Sequence, residues 1–151
     1  MLHARREAAN VAFVTVGPSV LASRTLACVA DYMSRELLVV EPSIGLAAAA
    51  SLMAQRRVGS VLVVEAGRLA GIFTERDIVR AVSHDVLAMQ EPVSDWMSRK
   101  PITVEPETPI DRARSLMLEH HFRHLPVARG DELLGMISMR DLARASAEGR
   151  D

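Results

Sequence analysis

Residues 71–77 read GIFTERD and residues 135–141 read GMISMRD, so one motif occurs twice at a spacing of 64 residues. The same shift places Val29–Ala81 on Val93–Ala145 without a gap. A unit of about 55 residues is usually too small to bury a stable core alone. The repeat therefore predicts two copies of one fold that cover each other's apolar faces about a pseudo-twofold axis. Such an axis creates two related clefts, where we expect function to lie.

The composition is typical of a folded protein with a substantial core, because 49% of the residues are hydrophobic and 25% are charged. A net charge of −1 and 3% aromatic residues offer neither a basic field nor stacking surfaces, so we expect no nucleic acid partner. No apolar run approaches the roughly 18 residues that cross a bilayer, so we expect no membrane partner. The single cysteine, Cys28, excludes an intramolecular disulfide and fits a cytoplasmic location.

The repeat also predicts where the chain divides. We expect an N-terminal arm (1–28), copy 1 (29–82), a linker (83–92), copy 2 (93–146) and a tail (147–151). In the arm, Arg5 and Arg6 precede a short apolar stretch that Gly17-Pro18 interrupts. A signal peptide has a longer apolar centre. We therefore expect a strand-like or irregular arm that packs on the core or pairs with another subunit.

Each copy is predicted to run strand, helix, strand, strand, helix, which is an α+β fold. In copy 2 a short strand at 101–104 precedes a helix with Thr108 as its N-cap, and Ser43 takes that place in copy 1. Short polar turns with glycine predict an antiparallel hairpin in each copy, built in copy 1 from 61–64 and 69–73. The first helix of each copy has one apolar face, formed by Leu46, Ala49, Leu52 and Met53 in copy 1 and by Ile110, Ala113, Leu116 and Met117 in copy 2.

The doubled motif places a hydroxyl residue at a helix start, Thr74 or Ser138, and an aspartate three residues later, Asp77 or Asp141. The N-terminus of a helix attracts phosphate, and a carboxylate can accept hydrogen bonds from the vicinal hydroxyls of a ribose. The preceding glycine lets a ligand or a neighbouring backbone come close. A plain capping box explains the same spacing, although its acidic residue is usually Glu. Both interpretations stay open at this point.

The chain resembles a tandem pair of CBS domains, a Bateman module, over about residues 29–146. The resemblance rests on the doubled motif, on Met-Ser-Arg at 33–35 and 97–99, and on Val-Glu-Pro at 40–42 and 104–106. It implies two β-α-β-β-α repeats packed about a pseudo-twofold axis, a regulatory role without catalysis, and no cofactor. It further implies that an adenosine-containing ligand (AMP, ADP, ATP or S-adenosylmethionine) binds in the inter-repeat clefts. The resemblance also implies a homodimer, and an effector protein that the sequence does not identify.

The resemblance also assigns roles by position. Thr74 and Asp77 in copy 1, and Ser138 and Asp141 in copy 2, match the ribose- and phosphate-binding residues of the family. Thr103 matches a residue that contacts the nucleoside, and Arg123 and His124 match a basic pair that contacts phosphates. Copy 1 has Val39, Gly59 and Ser60 at those three places. We therefore expect copy 2 to bind the ligand better than copy 1.

Two other functions fit parts of the sequence. The uncharged positions of copy 1 favour a ligand-free dimerisation or protein-interaction module with vestigial clefts. His120, His121 and His124 form a local cluster that suggests a metal site, but a strand beginning after Phe122 would break the helical spacing that such ligands need. No serine or cysteine has an assignable base, so we expect no enzyme.

Overall fold

The computed structural model describes residues 3–8, 10–17 and 26–149. The strands are β1 His3–Ala8, β2 Val11–Thr15, β3 Glu36–Val40, β4 Ser60–Glu65, β5 Arg68–Thr74, β6 Ser98–Arg99, β7 His124–Arg129 and β8 Glu132–Ser138. The helices are α1 Val29–Tyr32, α2 Leu46–Arg56, α3 Glu75–His84, α4 Ile110–His120 and α5 Met139–Glu148, with 3-10 turns at Val86–Gln90 and Val93–Asp95. Within the described residues, no helix is long and apolar enough to span a membrane.

Both predicted hairpins are confirmed. Strands β1 to β6 form one sheet in chain order, in which β3 runs parallel to β4 and β4 runs antiparallel to β5. Strands β7 and β8 form a second antiparallel pair with the same register and the same bulge position. The two copies therefore build one α+β arrangement twice, in which α2 or α4 precedes a hairpin and α3 or α5 follows it.

The short strand predicted at 101–104 is wrong, because only Val104 pairs with the sheet, through a parallel bridge to Val127. The Val104 N–H donates to the Pro126 carbonyl at 3.0 Å, and the Ala128 N–H donates to the Val104 carbonyl at 2.9 Å. The next rung toward residue 101 needs an N–H from Pro126, which proline lacks. Copy 1 has Leu62 at that place and forms the full strand β3.

The predicted caps Ser43 and Thr108 are also wrong, because α2 and α4 begin after Gly45 and Pro109. Thr108 instead closes a turn, in which its N–H donates to the Glu105 carbonyl at 3.0 Å. Because of this turn, the helix α4 begins only at Ile110, two residues after Thr108. The predicted apolar faces are confirmed, since the buried positions of these helices are Leu46, Ala49 and Met53 in α2 and Ile110, Ala113 and Met117 in α4.

By its contacts the chain forms two compact units. Among the described residues, the repeat-1 unit contains 4–8, 10–14 and 37–101, and the repeat-2 unit contains 3, 15–17, 26–36 and 102–149. The leading segment of each repeat thus belongs to the unit of the other repeat. In the repeat-1 unit, β6 adds an antiparallel edge to β5, and in the repeat-2 unit Ser34 forms the matching bridge with Met136.

Each unit has a core made from its hairpin and its two helices. In the repeat-1 unit, Val61 and Val63 of β4 and Phe73 of β5 are fully buried, together with Val93 from the leading segment of copy 2. Phe13 of the arm packs against this core, while the Arg56 guanidinium lies 4.5 Å from the centre of its ring. The cores fix the hairpin ends where α3 and α5 begin, and those ends carry the doubled motif.

Candidate functional site

The start of α5 is held by a reciprocal cap between Ser138 and Asp141. The Asp141 Oδ2 accepts hydrogen bonds from the Ser138 backbone N–H and from its hydroxyl, both at 2.8 Å. The Asp141 N–H in turn lies 3.2 Å from the Ser138 Oγ. The capping-box interpretation of the motif is therefore correct in geometry. The cap uses the Asp141 Oδ2, and the second carboxylate oxygen, Oδ1, accepts neither of these two bonds.

Two basic residues are positioned beside this cap by the β7–β8 ladder. His124 is the register partner of Ser138, and the Arg123 carbonyl accepts a hydrogen bond from the Met139 N–H at 2.9 Å. Thr103 is exposed and directly precedes the Val104 bridge to the same strand. We call Thr103, Arg123, His124, Ser138 and Asp141 the copy-2 site; all five belong to the repeat-2 unit.

The backbone at this helix start is less open to a phosphate than the sequence suggests. Of the first three N–H groups of α5, that of Met139 binds the Arg123 carbonyl and that of Asp141 faces the Ser138 hydroxyl. An anion at this place would therefore depend on side-chain cations. Arg123 is exposed and His124 is half-buried, so both side chains are at least partly open to solvent.

Copy 1 repeats the cap in the repeat-1 unit with a different outcome. The Asp77 Oδ2 accepts hydrogen bonds from the Thr74 N–H at 2.9 Å and, more weakly, from the Thr74 hydroxyl at 3.4 Å. Its Oδ1 forms an ion pair with Arg80 at 2.7 Å, and its side chain is 5% exposed. We call Thr74 and Asp77, together with Gly59 and Ser60 at the start of the neighbouring strand β4, the copy-1 site.

Burial has an electrostatic consequence at Asp77. Desolvation raises the pKa of this carboxyl above its ordinary value, against the opposing effects of the Thr74 hydrogen bonds and of the Arg80 charge. The lowering effects are outweighed because the side chain is almost completely removed from water. Asp77 is therefore a buried cap at the start of α3, whereas the Asp141 side chain is 22% exposed.

Sequence reasoning missed the arginine that follows each aspartate by three residues. Arg144 approaches the Asp141 Oδ1 only to 3.8 Å, while its Nη2 donates to the Tyr32 carbonyl at 3.4 Å and its guanidinium lies 5.9 Å from the Tyr32 ring centre. Arg80 lies similarly over Trp96, at 5.7 Å from the ring centre, but contacts Asp77 directly. The spacing of three residues along a helix was the available signal.

The histidines at positions 120, 121 and 124 do not form the metal site that their spacing in the sequence suggests. Helix α4 ends at His120 and β7 begins at His124, so the helical spacing between them is broken, as the sequence indicates. The His120 ring instead stacks on Phe122, with ring centres 5.4 Å apart. In the part of the chain that the structure describes, no group of three or more His, Cys, Asp or Glu residues is arranged to hold a metal ion.

Comparisons with known proteins show which family the sequence and the fold match. The family model of the CBS domain matches residues 29–84 and again residues 93–148. The CBS domain-containing protein YhcV of Bacillus subtilis is 36% identical over 118 residues, which are 78% of this chain and 84% of YhcV. The crystal structure of the CBS-domain containing protein ATU1752 from Agrobacterium tumefaciens matches with a TM-score of 0.74 at 31% identity, over 79% of this chain and 98% of that chain. The crystal structure of CBSX2 in complex with AMP matches with a TM-score of 0.72 at 26% identity, over 82% of this chain and 98% of the CBSX2 chain.

Proposed function

This chain belongs to the CBS-domain family as a tandem pair, and we propose that it is a regulatory sensor whose copy-2 site binds an adenosine nucleotide. The observation that carries the proposal is the Asp141 carboxylate: the Ser138 cap holds it through Oδ2, while Oδ1 lies 3.8 Å from Arg144 and the side chain is 22% exposed. A fixed carboxylate oxygen is a suitable acceptor for ribose hydroxyls, because hydrogen bonds to an ionised acceptor are strong.

The charges around the copy-2 site support a ligand with phosphate. Arg123 and His124 flank the cap; Arg123 would supply a cation, and His124 a ring N–H, to a phosphate that the helix backbone serves only in part. The relative CBSX2 was crystallised with AMP. Among the adenosine compounds we therefore favour AMP, ADP or ATP over the cationic S-adenosylmethionine.

The proposed output is a change that another protein reads. A ligand can shift a conformational equilibrium only if it binds one form more tightly than the other. We propose that nucleotide binding at copy 2 stabilises one form of a homodimer, and that an effector protein recognises that form. The protein itself would carry out no catalysis.

Calorimetric titration and thermal denaturation with AMP, ADP, ATP and S-adenosylmethionine test the proposal. A ligand at 100 times its Kd stabilises the folded form by about 2.7 kcal/mol, so a nucleotide that binds should raise the Tm by several degrees. Asp141→Ala should remove that rise. Asp95→Asn, which alters an exposed carboxylate in the repeat-1 unit, should keep it and serves as the control.

The second candidate is a ligand-free interaction module. The burial and ion pairing of Asp77 favour it for copy 1, where the carboxylate is already satisfied by the protein. Under this alternative none of the four compounds at millimolar concentration changes the Tm, and Asp141→Ala has only the stability effect of a lost cap.

A further inference from the structure

The two aspartates of the doubled motif differ in which partner holds Oδ1. At copy 1 the Arg80 Nη1 lies 2.7 Å from the Asp77 Oδ1, which is a short, charge-assisted hydrogen bond. At copy 2 the equivalent arginine, Arg144, stays 3.8 Å from the Asp141 Oδ1, beyond hydrogen-bond distance. Oδ2 accepts bonds from the capping residue in both copies, so Oδ1 is the oxygen that a ribose would need.

Solvent access differs in the same direction. The Asp77 side chain is 5% exposed and the Asp141 side chain is 22% exposed, while the two arginines are equally accessible at 56% and 58%. The arginines are therefore not distinguished by burial. What differs is their other contact, because Arg144 also donates to the Tyr32 carbonyl in the repeat-2 unit.

We infer that Arg80 closes the copy-1 site to nucleotides, so that each chain binds one nucleotide, at copy 2. A ribose at copy 1 must displace a guanidinium from a nearly buried carboxylate, and the neighbouring Gly59 and Ser60 supply no cation that would favour a phosphate. The inference rests on the proposed function and adds the stoichiometry, together with the residue that sets it. Any affinity at copy 1 should be at least about tenfold below that at copy 2.

Calorimetric titration of the full chain with AMP measures the stoichiometry directly. The wild type should bind one AMP per chain, and Asp141→Asn should bind none. Two sites of similar affinity in the wild type, of which Asp141→Asn removes one, overturn this inference and leave the proposed function standing. A single wild-type site that persists in Asp141→Asn overturns both, because the nucleotide then does not bind through Asp141. No binding of AMP, ADP or ATP to the wild type overturns the proposed function and this inference with it.

Removal of the guanidinium tests the role of Arg80 itself. Arg80→Met should add a second, weaker binding event, whereas the matched variant Arg144→Met should keep the stoichiometry at one. A stoichiometry of one in a folded Arg80→Met variant means that Arg80 does not close the site. Carbon-13 NMR of the wild-type carboxyl groups gives a readout without substitution: AMP should shift the Asp141 signal and leave the Asp77 signal in place, and a shift at Asp77 contradicts the inference.

Discussion

The sulfur of Met33 lies 2.7 Å from the point where a Cβ on Gly135 would stand, and the Ser34 carbonyl oxygen lies 2.8 Å from the same point. Gly71 has the equivalent neighbours at nearly the same distances, the Met97 sulfur at 2.6 Å and the Ser98 carbonyl oxygen at 2.8 Å. The first residue of the doubled motif is therefore glycine because a backbone from the other repeat's leading segment packs against it. Of the two roles that the sequence allowed, a close backbone is the one that the structure supports.

Gly135→Ala should lower the free energy of unfolding by about 1–3 kcal/mol, because the new methyl group overlaps a backbone oxygen that cannot rotate away. Urea denaturation measures the change. Gly45→Ala is the control, because the nearest atoms to its new Cβ lie 4.0 Å away; as the N-cap of α2 it should lose at most about 1 kcal/mol, since alanine is a poorer N-cap than glycine. Equal effects at the two glycines would contradict the packing explanation.

The raised pKa of Asp77 predicts a pH dependence with a defined sign. The folded protein binds this proton more tightly than the unfolded chain, so stability from Asp77 is greatest below the ordinary pKa of 3.8 and falls as the pH rises through the folded value. Carbon-13 NMR titration should find the Asp77 pKa above 3.8. Arg80→Met should raise it further, because the Arg80 charge lowers it. A value that falls in this variant would contradict the assignment.

Arg114 joins α4 to α5 in the repeat-2 unit. Its guanidinium contacts the Asp111 carboxylate at 2.7 Å, the Ser146 hydroxyl at 2.5 Å and the Leu142 carbonyl at 3.4 Å. Arg114→Met should therefore destabilise the protein by about 1–2 kcal/mol in thermal or urea denaturation.

Arg112 provides the matched control on the same helix. Its side chain is 58% exposed and lies 3.9 Å from the Glu119 carboxylate, and exposed pairs of this kind contribute little. Arg112→Met should change stability by less than about 0.5 kcal/mol. If the two variants behave alike, the link between α4 and α5 is not stabilising.

Arg57 ends α2 in the left-handed region, with φ 54. A side chain in this conformation is strained, and glycine is the residue that adopts it most readily. Arg57→Gly should raise the free energy of unfolding by about 0.5–1 kcal/mol, measured by urea denaturation. Arg56→Gly, one residue earlier in helical conformation, should lower it by about 1 kcal/mol, so the two variants should move in opposite directions.

Part of the candidate site could be read from the order of residues. The Ser138 and Asp141 cap depends on contacts three residues apart, and such local geometry follows from helix periodicity. The hairpin that carries Arg123 and His124 to this cap was also predictable, because polar turns with glycine mark it. The roles of Arg80 and Arg144 were not predictable. Each arginine can contact either the aspartate on its own helix or a group on a segment distant in sequence, and the sequence does not show which contact forms.

The sequence by itself determined the repeat, the α+β class and the faces of the helices, because these depend on periodicity within short stretches. Only the tertiary structure decided that each leading segment joins the unit of the other repeat, that Pro126 shortens a strand to one bridge, and that Asp77 is buried and paired with Arg80 while Asp141 is partly exposed. The first two features depend on distances between residues far apart in the chain, and the third depends on how far the rest of the unit covers a helix start. Neighbouring letters of the sequence do not encode such distances.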